Sequence, residues 1–492
     1  MDSVAASNAQ SRVATRAKDE AERSVASASE DKAERSAATQ RTECDAVALL
    51  GNTETKDNQQ VRGTRLTGAY AQACWSLMAD AWRFSSLKRV RGCHRWLAPN
   101  AGAASVQWAP GQARWGNLQN SHSIWSSPMA AARIARLRSA EIKRAVDTWS
   151  SQGNGSHGVE FLTLTVRHKR GQSLSEVWDV VTKCWKSAVG GASWHGGKRY
   201  EGDKNRYGVA HWVRSVEVTF SRKNGWHVHV HALMLTKKRL SKDERETLEN
   251  RMFERWKNAA LRAGFQAPTR ERGIKLVEAM DSNNTAAIGE YLAKGQTSKL
   301  AMEVASGQTS KLAGKQSRTP FQILGDIGRA YRAGKEYASD LAIYHEWEQS
   351  SNGRRAIAWS KGAKSELGLV DLDDEELLEQ DDAEHFADPY AVAMVPREAW
   401  HKPAAGRDEK LCDDVQTRTA IIDAVKIAKS PEEARDKAAK VLEELGIYSL
   451  AVLAKVNAEK KTREQVEEKR ELAKEKARKQ ASEFASMLRA VG

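Results

Sequence analysis

The feature that most restricts the fold lies between residues 160 and 295, where the apolar spacing switches back and forth between the strand and helix periods. "FLTLTV" (161–166) is a β-branched run, and "SLSEVWDVVTKCWKSAV" (173–189) places Leu174, Val177, Val181, Trp185 and Ala188 at helical spacing. Strand "VRSVEVTF" (213–220), the turn "SRKNG" and strand "HVHVHALML" come next. A second helix opens with Ser241 and Glu244 in capping-box spacing and runs through Leu248, Met252, Trp256 and Leu261 to Gly264. Strand "GIKLVEAM" (273–280) and a short helix "NTAAIGEYLAKG" close the series. The order β-α-β-β-α-β predicts an α+β fold, a ferredoxin-like split βαβ antiparallel sheet with both helices on one face and the other face available for chemistry.

Composition sets the limits of that unit. Twelve of the 16 tryptophans fall between Trp75 and Trp226, and none precedes Trp75 or follows Trp400, so the packed region is expected between about 65 and 400. Residues 1–64, rich in Ala, Ser, Asp, Glu and Arg, carry too little apolar surface to offset ordering entropy and read as a disordered arm. The remaining divisions are an N-terminal subdomain at 65–150, the core at 151–300, a basic part at 301–366, an acidic linker at 367–405 and a charged helical tail at 406–492. The linker reading rests on "GLVDLDDEELLEQDDAEHFADP" (368–389), with ten carboxylates and no Lys or Arg. Five scattered cysteines without a CxxC pair indicate neither a disulfide framework nor a cysteine zinc site. No apolar stretch approaches the ~18 residues of a membrane span, so the expectation is a cytoplasmic protein with no membrane partner. A net charge of +14 and a pI near 9.4 favour a polyanionic partner.

His227, His229 and His231 alternate along one strand and therefore share a face. Neighbours two apart on a strand stand about 7 Å apart at Cα, so only adjacent imidazoles can share an ion. Alternation alone also describes a half-exposed strand face. If the hairpin loop is Lys223, Asn224 and Gly225, Glu217 lies across from His231 on that face; a two-residue Asn224-Gly225 turn would put it on the other. Two imidazoles and a carboxylate with open positions suit Mg²⁺ or Mn²⁺. Tyr291 and Lys294, three apart on the last helix, share a face. A tyrosine is about one part in a thousand ionised at pH 7, so a nucleophilic one needs a positive neighbour or a polarised target.

These residues resemble the plasmid rolling-circle replication initiators of the HUH endonuclease class, single-tyrosine type. The resemblance spans about 85–370 through "FLTLT" at 161, Glu217, "HVHAL" at 229, "YLAK" at 291, "RTPFQIL" at 318 and "GRRAIAWSKG" at 353. It implies His229 and His231 as metal ligands with Glu217, Tyr291 as the nucleophile that becomes linked to a 5′ phosphate, and Lys294 as its cationic helper. It also implies plasmid origin DNA as substrate, a host helicase and polymerase as partners, and a second copy of the chain. Other readings are a conjugative relaxase, a single-tyrosine transposase, or a non-catalytic copy-number or partition protein. Two departures stand out. Ser121, Ser127 and Ala130 occupy places where the family usually has zinc-ribbon cysteines, leaving Cys93, and no zinc is expected there. Ala287 stands four residues before Tyr291, where family members often carry glutamate, so hydrolytic release of the adduct is expected to be slow.

Overall fold

The computed structural model describes residues 68–279, 317–386, 389–456 and 475. It begins with α1 (Gly68–Phe84), the hairpin β1 (Ala103–Ala109) and β2 (Gln112–Gly116), and α2 (Pro128–Gln152). The central series is β3 (Gly158–Thr165), α3 (Leu174–Ala188), β4 (Val209–Ser221), β5 (Gly225–Thr236), α4 (Lys242–Arg262) and β6 (Ile274–Glu278). After it come α5 (Pro320–Arg332), α6 (Ala338–Ser351), β7 (Ile357–Trp359) and α7 (Asp374–His385). The chain continues through β8 (Tyr390–Pro396), α8 (Val415–Lys426), α9 (Pro431–Glu444) and β9 (Leu450–Lys455).

Local sequence fixes where these helices start. Ser173 with Glu176 and Ser241 with Glu244 form complete capping boxes, so the first free N–H groups of α3 and α4 are satisfied reciprocally. Thr319 with Gln322 does the same for α5, whose first residue, Pro320, has no N–H to satisfy.

The main sheet is antiparallel with the order β6-β3-β5-β4-β7. Numbered within the β-α-β-β-α-β series, its first four strands run 4-1-3-2, the expected split βαβ arrangement, and β7 extends the edge beside β4. Val216, Val218, Val228, Val230, Ala232 and Met234 point to one face, where they bury against α3 and α4 through Val177, Val181, Trp185, Leu248, Met252 and Trp256. At roughly 1.5–3 kcal/mol per buried large apolar side chain, this layer is the principal source of the sheet's stability.

The opposite face is only partly open, which corrects the expectation of a free face. Val159, Val213, Leu233 and Leu235 on that face pack under Ile142, Ala145, Val146 and Trp149 of α2, together with Leu367 and Leu369. The half bearing His227, His229 and His231 lies outside this cluster. The N-terminal half of α2 is capped by Ser127, whose Oγ also lies 3.8 Å from the buried Cys93 sulfur.

Residues 367–405 and 406–456 depart from their reading as linker and tail. The acidic run forms α7, which docks on α2 as Arg133 donates to Asp381 and Asp382 and Arg138 donates to Asp374. β8 then pairs with β1, and β9 with β8, giving a second antiparallel sheet in the order β2-β1-β8-β9. Val106, Trp108, Val392, Val395, Trp400, Leu411, Ile421, Val425, Ala434 and Leu442 bury into a core of its own. Packing therefore continues past the last tryptophan, because alanine and isolated aliphatic residues on α8 and α9 supply the apolar face. Among the described residues no helix is long and apolar enough to cross a membrane.

Candidate active site on the histidine strand

The β4–β5 hairpin sets the register of the site. Ser221 pairs with Gly225, so the loop is Arg222, Lys223 and Asn224, one residue earlier than the three-residue loop considered from sequence. Gly225 is the first residue of the returning strand and takes φ +77, and the Asn224 N–H donates to Ser221 Oγ at 3.0 Å to close the turn. Glu217 consequently pairs with His229 rather than His231. The difference is an even number of residues, so Glu217 stays on the histidine face, and its Oε2 lies 3.0 Å from His231 Nε2.

Gly225 also allows a close approach. A Cβ added there would sit 2.7 Å from the Arg170 carbonyl oxygen, in a left-handed conformation that L side chains rarely adopt. Gly225→Ala is expected to cost at least about 1–2 kcal/mol and to shift the turn away from Arg170. Chemical denaturation checks this, and an unchanged midpoint would contradict the close packing.

Each of the two inner histidines is held by a threonine of β3. Thr165 pairs with His229 and Thr163 with His231 in the sheet register. Their hydroxyls hydrogen-bond His229 Nδ1 at 2.9 Å and His231 Nδ1 at 3.2 Å. With Nδ1 engaged, Nε2 is left to face a ligand, the usual way a partner fixes the orientation of a metal-binding imidazole. Phe161 stacks on His231 with ring centroids 5.7 Å apart. The threonines were missed in the sequence, although they alternate through "FLTLT" in the phase that a partner strand must show.

His227 has a different setting. Its Nδ1 lies 2.6 Å from His168 Nε2, a residue just beyond β3, and its ring meets His229 edge to face at 4.0 Å. Burial lowers the pKa of His227 to about 3, with His229 and His168 adding to the effect. Burial also lowers that of His229 to about 4, although the Glu217 carboxylate pulls the other way. Both are neutral at pH 7, which is the form in which an imidazole nitrogen offers a lone pair.

The donor chemistry, two oriented imidazoles and a carboxylate, suits a divalent ion. The His229 and His231 rings stack 6.0 Å apart, and among the described residues no three His, Cys, Asp or Glu side chains are grouped so that they could hold a metal ion. A metal on His231 Nε2 would replace the present hydrogen bond to Glu217. Tyr291, Lys294 and Ala287 lie outside the described residues.

A sequence family described as "Replication protein" matches residues 124–400, more than half of the chain. The chain belongs to this replication protein family. The match takes in the whole five-stranded sheet and the histidine strand, and leaves out α1, β1, β2, α8, α9 and β9. The replication protein is 27% identical over 353 residues to "Protein rep" of Streptomyces lividans, covering 62% of this chain and 76% of that one. It is 31% identical over 157 residues to "Neomycin resistance protein" of Streptomyces cyanogenus, covering 28% of this chain and 35% of that one. No solved structure matches.

Proposed function

We propose that this replication protein is a plasmid initiator of the HUH endonuclease class, which nicks one strand at the origin and rejoins it through a tyrosine–phosphate bond. The observation that carries the reading is the pairing of His229 and His231 with Thr165, Thr163 and Glu217 on the open half of the sheet. Oriented imidazoles beside a carboxylate are donors suited to a divalent ion that polarises a phosphodiester.

In this reading His229, His231 and Glu217 would hold Mg²⁺ or Mn²⁺, which would supply Lewis-acid polarisation of the scissile phosphate. Tyr291 attacks that phosphorus, its oxygen bonds to the 5′ phosphate, and the bond to the 3′ oxygen breaks, releasing a 3′ hydroxyl that primes synthesis. The phenolic proton passes to solvent as Tyr291 ionises, favoured by the charge of Lys294, and the departing 3′ oxygen takes up a proton from solvent. The protein acts in the cytoplasm, with a host helicase and polymerase using the exposed end and a second copy of the chain taking part in termination.

Incubating the full chain with single-stranded origin DNA and Mn²⁺ tests this. A covalent adduct is expected on Tyr291 and should disappear in Tyr291→Phe with DNA binding retained. An adduct mapped to Tyr200, Tyr207 or Tyr331 would overturn the assignment.

A further inference from the structure

A cleft of about 540 Å³ opens beside the histidine strand, lined by Arg167, Arg170, Lys223 and Arg272 with His168 and His227. Thr165, which orients His229, forms part of the same wall. One rim is the β4–β5 turn, held against the 167–170 segment at Gly225, and the other is the stretch around Pro268 to Arg272. Among the described residues no carboxylate lines the cleft.

The four cations of the cleft differ from several arginines close to them. Neighbouring arginines are committed to carboxylates: Arg222 and Arg318 to Asp340, Arg245 to Glu160, and Arg270 to Glu249. Among the described residues Arg167, Arg170, Lys223 and Arg272 form no ion pair. Gathering like charges around one cavity is unfavourable unless an anion completes it. The volume lies within the ~300–1,000 Å³ of small-ligand pockets, so the cleft suits the backbone of one strand rather than a duplex.

We propose that this cleft holds consecutive phosphates of the single strand leading into the histidine site. The strand passes His168 and His227 before reaching His229. This deepens the nicking reading and rests on it. Arg170, Lys223 and Arg272 act as positioning residues that set the strand's register, while the inner histidines and threonines face the reacting phosphate.

The test uses the full chain carrying Tyr291→Phe, so that binding is read without cleavage. Its affinity for a single-stranded origin oligonucleotide is measured across salt concentration, with and without the triple change Arg170→Gln, Lys223→Gln, Arg272→Gln. Each lost phosphate contact removes about 0.7 from the salt slope on single strands, so the triple variant should lose about 2. From 50 to 200 mM salt the parent should therefore weaken about 20-fold more than the variant. Charge-retaining changes Arg170→Lys and Arg272→Lys should restore most of the slope, which a merely structural role would not do. An unchanged salt slope in the triple variant overturns the proposal. So does binding of a free mononucleotide as tight as that of the oligonucleotide. The nicking reading fails separately, if the chain with Tyr291 intact forms no adduct, and the salt slope is measured independently of that result.

Discussion

His229→Ala and His231→Ala should each lower the rate of origin nicking on the order of a thousandfold. The reasoning starts from geometry. Each imidazole is fixed by a threonine through Nδ1, so its Nε2 has one direction to face, and alanine removes the donor while leaving the sheet ladder intact. Lewis-acid stabilisation of a phosphoryl oxygen is worth several kcal/mol, and each ~1.4 kcal/mol is a factor of ten in rate. Binding of duplex origin DNA should stay within about twofold, because affinity there comes mainly from lysine and arginine contacts to phosphate. Mn²⁺ affinity, followed by electron paramagnetic resonance, should fall with the rate in both variants. His227→Ala should cost less than tenfold, since the structure ties that ring to His168 rather than to a threonine of β3. If His227→Ala were the most damaging of the three, the ligand pair would be His227 and His229.

Trp256→Ala should destabilise the protein by about 3–5 kcal/mol, as expected for truncating a fully buried tryptophan. Trp256 has no exposed surface and lies in the layer between α4 and the sheet. Its Nε1 donates to the Thr165 carbonyl oxygen at 2.9 Å, directly behind the threonine that orients His229. Trp256→Phe keeps much of the volume and loses that hydrogen bond, so a smaller cost of about 1 kcal/mol is expected. Urea midpoints at an unchanged slope measure both. A cost below 1 kcal/mol for Trp256→Ala would mean that the layer repacks around the loss.

The central unit was legible because its signals are local. Alternation in β3 and β5, capping boxes and helical spacing in α3 and α4 are written within a few residues of each other, and the antiparallel sheet follows from their order. The partnership of Glu217 with the histidine face was one of two outcomes the sequence left open, and even on the three-residue loop its register was off by one pair. That register depends on where Gly225 adopts its left-handed conformation, which the dipeptide Asn224-Gly225 does not settle. His168 and the cleft cations escaped notice because "VRHKRG" reads as a plain basic turn until the hairpin folds beside it. The pairings of β8 with β1 and β9, which complete the second sheet, were not legible. β8 is seven residues long and finds its partner β1 almost 300 positions earlier, and no short-range pattern announces such a pairing.

That second sheet means that the stretch a family shares and the stretch that folds are different things in this protein. The shared region ends at Trp400 and begins at Ile124, so it contains β8 but neither of the strands that flank it, β1 and β9. The matched region taken alone therefore leaves β8 without a partner on either side, and the chain before it and the chain after it each supply one. A substitution on β1 is felt by β8, and one on β9 by the same strand from its other side.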